Sequence, residues 1–152
     1  MTTRPNGLVA NDPGRYTSVW SLALRRGVEV TDPEVQELKA ALLSERIVVT
    51  TGLVLQELLQ GFSGPKAQAQ MVERFAALPL LQSDREDHIN AAGVRNVCRK
   101  AGVQIGTADA LLAQLCIRHD LTLLTTDKDF THVARHCPLR VWPVEVMARR
   151  DA

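Results

Sequence analysis

The sequence predicts an α/β fold with a mainly parallel sheet. Short apolar runs, such as Ile47-Val48-Val49-Thr50 and Leu121-Thr122-Leu123-Leu124, alternate with segments of helical periodicity. The 152 residues support one domain, taken as 1–152, and that length can bury enough surface for a real core. A composition of 45% hydrophobic and 23% charged residues belongs to a globular chain, not a disordered or fibrous one.

Residues 1–16 are the least regular segment. Pro5, Asn6-Gly7 and Asp12-Pro13-Gly14 are turn signals, with only Leu8-Val9-Ala10 apolar between them. Ser18 caps a short helix carrying Val19, Trp20, Leu22 and Leu24, ending near Gly27. Thr31-Asp32-Pro33-Glu34 starts the next helix, by a Thr31/Glu34 capping box or by Asp32 with Pro33 at the first helical position. Val35, Leu38, Ala41 and Leu42 share its apolar face. The β-branched run 47–50 reads as a buried strand, followed by a helix from Gly52 to about Gly61. Pro65 opens a helix with Met71, Val72, Phe75 and Ala76 inward. Leu78-Pro79-Leu80-Leu81 is an edge strand, since proline cannot donate to a central ladder. Ser83-x-x-Glu86 forms a capping box before a helix to about Lys100, stopped by Gly102. Thr107 caps a helix through Leu111, Leu112, Leu115 and Cys116. Leu121–Leu124 and Leu139-Arg140-Val141-Trp142 complete the strands.

Composition narrows the function. A net charge of +1 argues against a broadly basic nucleic-acid-binding surface, although a local patch can hide in a balanced total. Three cysteines (Cys98, Cys116, Cys137) without a CxxC pair fit a reducing cytosol, so a cytoplasmic location is expected. No signal-peptide run opens the chain, and no stretch approaches the ~18 apolar residues of a membrane span. An aromatic content of 4% disfavours a stacking platform for single-stranded bases.

In parallel sheets, ligands sit outside the carboxyl ends of the strands. That rule selects Asp127 and Asp129 after the strand ending at Leu124, Glu57 about two turns past Thr50, and Asp109 in the first turn of the helix begun by Thr107. Acids gathered at one edge repel: two unit charges ~4 Å apart cost about 4 kcal/mol at an effective dielectric near 20. A shared hard cation such as Mg²⁺ or Mn²⁺ relieves this. Each acid also has an ordinary explanation. The helix dipole favours Asp109, turn geometry favours Asp127 and Asp129, and a lone helical Glu57 is commonly solvated.

Thr17-Ser18-Val19-Trp20-Ser21-Leu22, the Gln56-Glu57-Leu58 core of 51–61, Gly106-Thr107-Ala108-Asp109-Ala110-Leu111 and Leu124-Thr125-Thr126-Asp127-Lys128-Asp129-Phe130 together resemble PIN-domain ribonucleases. The likeness is strongest to the VapC toxins of bacterial toxin–antitoxin pairs and runs from about Thr17 to Trp142. It implies a three-layer α/β/α fold with a central parallel sheet of about five strands. It also implies RNA cleavage assisted by Mg²⁺ or Mn²⁺ held by Glu57, Asp109 and Asp127, with Asp129 beside them. Thr107 would cap the helix that aims Asp109, and Thr125 would support the loop carrying the last acids. The implied partners are an antitoxin protein, an RNA substrate and a second copy in a homodimer, for which the helices at 34–43 and 52–60 are candidate faces.

The family pattern places an Asp after an apolar strand and before Thr-Ser, whereas Tyr16 stands there, and a phenol with pKa ~10 is no carboxylate. The first acid is lost and the site weakened, or Leu8-Val9-Ala10-Asn11-Asp12 is the strand with Asp12 as the acid, or the N-terminal segment is not that of the active protein. Loss ranks narrowly ahead of replacement by Asp12. It motivates a second reading, a PIN-fold module that binds antitoxin or RNA without cutting. A response-regulator-like phosphoacceptor lacks the required acid pair after the first strand. His132-x-x-x-His136-Cys137 reads as a solvated helix end, not a zinc site. Arg25-Arg26 is a candidate phosphate contact. With four of the 17 acids assigned to one site, 13 remain against 18 bases, so the remainder of the chain is mildly basic.

Overall fold

Five strands pair in parallel in the order β3-β2-β1-β4-β5. They are β1 (Gly7–Ala10), β2 (Ile47–Thr51), β3 (Leu80–Leu81), β4 (Thr122–Leu124) and β5 (Arg140–Val141). Helices α1 (Pro33–Leu43), α2 (Gly52–Gly61), α3 (Pro65–Phe75), α4 (Arg85–Lys100), α5 (Thr107–Arg118) and α6 (Asp129–Ala134) connect or flank them. The computed structural model describes residues 7–10, 33–44, 46–61 and 64–143. The expected helix over Ser18–Gly27 and the Thr31/Asp32 cap lie outside these residues.

Val9 pairs with both Val49 and Leu123, so β1 is the central strand. Within the segment expected to be irregular, Gly7–Ala10 is a strand, in line with the alternative that reads a strand from Leu8. A four-residue strand flanked by Asn-Gly and Asp-Pro-Gly carries little periodicity of its own, and only its two neighbours define it.

Successive strand residues point to opposite faces, and each face buries its own cluster. Val48 and Leu124 pack with Val35 and Leu38 of α1, Val54 and Leu58 of α2, and Met71 and Phe75 of α3. Val49 and Leu123 pack with Cys98 of α4, Leu112 and Cys116 of α5, and Phe130 and Val133 of α6. The result is the three-layer α/β/α arrangement with five strands. Leu42 (41% exposed) and Val72 (52% exposed) were expected inward but lie outside both clusters, and Ala76 is exposed as well. On α3 the Met71/Phe75 pair at i,i+4 defines the buried stripe, and Val72 sits about a quarter-turn off it.

Two caps also differ from expectation. α4 is capped by Asp84, not Ser83: its carboxylate accepts from the Asp87 N–H (2.9 Å), and Asp87 Oδ2 accepts from the Asp84 N–H (3.0 Å). α5 has Gly106 at the N-cap without a side-chain cap, which puts Thr107 at the first helical position. Gly102, at φ +80°, ends α4 as expected, in a conformation open to glycine without a Cβ clash. Between α5 and β4, Asp120 turns at φ 55°, and Arg140 of β5 holds it by donating to its backbone carbonyl (2.7 Å).

Candidate active site

Because every strand runs the same way, β1, β2, β3 and β4 end at one edge of the sheet, at Ala10, Thr51, Leu81 and Leu124. The chain builds outward from β1 to β2 and β3, then returns to the other side of β1 with β4. The crevice at such a reversal is where parallel sheets bind ligands.

Each expected acid reaches this edge by its own route. The Thr51 hydroxyl accepts from the Val54 N–H (3.2 Å), turning β2 directly into α2, so Glu57 sits in the second turn of that helix, half-buried. Asp109 is the third residue of α5 and half-buried. Past β4, the buried Thr125 hydroxyl accepts from the Asp127 N–H (3.1 Å), as its supporting role anticipated. Asp127 Oδ1 then accepts from the Asp129 N–H (2.9 Å), starting α6. Asp127 is therefore a turn residue as well as a member of the acidic group.

Electrostatics ties the four acids together. Burial pushes the Asp109 carboxyl up to about 6, and the negative charges of Asp127, Glu57 and Asp129 push the same way. The dipole of α5 acts oppositely at that position, so Asp109 is not merely a residue placed to satisfy a helix end. Burial also raises Glu57 above the usual carboxylate range. The ion pairs among the described residues lie elsewhere: Arg46–Glu37, Arg118–Asp87 and Arg140–Asp120.

An oxygen-only donor set whose members repel one another fits a hard divalent cation in charge and chemistry. Among the described residues, no three acidic, histidine or cysteine groups close into a metal cage. A closed cage is not a requirement for Mg²⁺, which keeps several waters and binds proteins through one or two carboxylates. Asp12 and Tyr16, the two candidates around the first family acid, lie outside the described residues.

Beside the acids is a cavity of about 220 Å³ whose lining includes Glu57 and Asp109. Its walls are Thr51, Leu53 and Val54 from the β2–α2 junction, Leu111, Leu112 and Leu115 of α5, and Leu81, Gln82 and Ser83 at the end of β3. By sequence Leu81 is an edge-strand residue and Ser83 a cap, and nothing local distinguishes Gln82. The signal that marked Asp127, a position just past the carboxyl end of a parallel strand, applies equally to Gln82 and Ser83.

The PIN domain family model matches residues 17–136. FitAcB from Neisseria gonorrhoeae has a similar fold, with 20% identity, 89% of this chain and 95% of that one covered, and a TM-score of 0.65. VapBC2 from Rickettsia felis, solved bound to a DNA fragment from its promoter, shares 16% identity over 89% of this chain and 96% of the other, with a TM-score of 0.65. FitAB bound to an IR36 DNA fragment aligns over 93% and 99%, with 18% identity and a TM-score of 0.62.

Proposed function

This chain belongs to the PIN domain family, and from that premise we propose that it is a divalent-metal-dependent endoribonuclease of the toxin type, restrained by an antitoxin protein. One observation carries the reading: Asp109 is held at about 6 by burial and by the charges of Asp127, Glu57 and Asp129 at the carboxyl edge of the sheet. Glu57, Asp109 and Asp127 would hold Mg²⁺ or Mn²⁺, with Asp129 alongside. When bound, such an ion supplies Lewis-acid stabilisation of the phosphate and a more acidic water. The chain's own part is to gather and orient these carboxylates, while a bound cation would offset the burial and mutual repulsion that disfavour the charge on Asp109. Thr125 and the α6 start hold the turn that carries Asp127, while the Thr51 hydroxyl caps the start of the helix that carries Glu57. The overlap in fold with FitAcB and VapBC2 supports an assembly with an antitoxin, and a homodimer is part of the same reading.

For the first acid, the central position of Gly7–Ala10 favours Asp12 over loss of the site, because Asp12 follows Ala10 by two residues. The test is RNA cleavage by the purified protein with Mn²⁺. Asp109→Asn and Asp12→Asn are each expected to lower the rate by about 10²–10³-fold, the scale of losing one electrostatic stabiliser. Tyr16→Asp is expected to change little. An inactive wild-type protein that Tyr16→Asp awakens would instead identify a weakened binding module.

A further inference from the structure

We propose that the cavity beside the acids is a subsite for one RNA nucleobase next to the scissile phosphate, with Gln82 as the residue that discriminates among bases. This rests on the nuclease reading above and names how the same site would choose its substrate.

Size, lining and position each point to a base. At about 220 Å³ the cavity is smaller than the ~300–1,000 Å³ of pockets for drug-sized ligands, so it takes a single ring system and not a whole nucleotide. Leu53, Leu81 and Leu111 in the lining supply aliphatic surface for the flat faces of a base. Gln82 and Ser83 supply polar groups at the rim. A side-chain amide offers both donor and acceptor, which an unpaired base edge requires for readout. Unstacked bases are commonly recognised this way, between apolar side chains and with hydrogen bonds to the pairing edge. Glu57 and Asp109 belong to both the cavity and the acid group, so a base seated there leaves its phosphate at the acids.

The wall that carries Gln82 is held rigidly. Arg118, at the end of α5, donates to the Gln82 backbone carbonyl (3.1 Å) and to Asp87 Oδ2 (2.7 Å), and Asp87 is fully buried. Ser83 Oγ lies 3.3 Å from His88 Nε2 of α4. The loop is thereby tied to α4 and α5, and the Gln82 amide is exposed and carried on a fixed backbone. A tethered backbone limits where the Gln82 amide can reach, which favours some base edges over others.

The experiment has two arms on the full chain. The first measures cleavage of RNAs that differ in the base at the cut site, for the wild type and Gln82→Leu. The second follows the leucine methyl resonances while each of the four nucleoside 5′-monophosphates is added, with and without Mg²⁺. The expected results are a three- to tenfold flattening of base preference in Gln82→Leu, about the value of one net hydrogen bond, and shifts of Leu81 and Leu111 methyls by the preferred nucleotide. Cleavage with base ratios unchanged by Gln82→Leu overturns the subsite and leaves the nuclease reading standing. Nucleotide-dependent methyl shifts that weaken in Gln82→Leu, in a protein that cuts no RNA, uphold the subsite and remove the nuclease. Methyls unmoved by every nucleotide overturn the proposal. Shifts produced instead by a synthetic peptide of one Arg flanked by Leu would mark the cavity as a protein-docking groove.

Discussion

Asp109 shows how one residue is placed against its own electrostatics. The α5 dipole stabilises a carboxylate there by about 0.3–1 kcal/mol. Burial and three neighbouring acids outweigh it and lift the group from 3.8 to about 6. With the folded-state value above the ordinary one, folding takes up protons, so the Asp109 contribution turns against the folded state as pH rises from about 4 to about 6. Asp109→Asn is therefore expected to raise the melting temperature of the metal-free protein at neutral pH. Mn²⁺ should raise that of the wild type and not that of the variant. Thermal scans with and without metal check both, and a variant that melts lower without metal would contradict the repulsion. Sequence position alone picked out Asp109. Its altered acidity was not legible, because it comes first from burial and then from side chains 18 residues after, 52 before and 20 after it.

The start of α4 is an element whose cap and ion pair share one residue. Ser83-x-x-Glu86 and Asp84-x-x-Asp87 both have capping-box spacing, so local sequence cannot choose between them. Arg118 chooses, since it draws Asp87 into the interior and sets the box at Asp84. Asp84→Ala is expected to cost about 1 kcal/mol, and Ser83→Ala less than about 0.5 kcal/mol, as measured by urea unfolding. Burial alone would raise the Asp87 pKa, but the hydrogen bond from the Asp84 N–H and the hydrogen bond and charge of Arg118 hold it below 3.8. For a depressed carboxyl, the stabilisation is complete above the ordinary value and is lost as pH falls below 3.8. Arg118→Leu should cost about 2–3 kcal/mol at neutral pH by stranding a buried carboxylate. Its stability should also fall less steeply than that of the wild type on acidification below about pH 4. Equal pH slopes for the two proteins would show that the pair does not govern this region.

Across the whole molecule, the helical layers leave apolar surface uncovered where α1 meets β2. Leu43 is 91% exposed, Ile47 58% and Leu42 41%, with Leu53 of α2 at 38%. This falls at the end of one helix proposed as a dimer face and the beginning of the other. Leu43→Asp is expected to weaken self-association by about tenfold or more, the scale of a central interface residue. Light scattering over a concentration series would report it, and an unchanged mass would exclude this edge from the dimer. No helix among the described residues is long and apolar enough to cross a membrane.

The alternation of strands and helices, the edge position of the short strand after Pro79 and the placement of Asp109, Asp127 and Asp129 just beyond strands or at a helix start were readable from sequence. These depend on local periodicity, backbone chemistry and position after a strand. Tertiary structure decided what depends on distant neighbours. It made four unremarkable residues, Gly7–Ala10, the centre of the sheet, because pairing with β2 and β4 supplies what their own pattern lacks. It exposed Val72 while burying Met71, and it moved the α4 cap by one residue through Arg118. It also brought Gln82 and Ser83 beside Glu57 and Asp109, because parallel strands carry residues far apart in the chain to one edge.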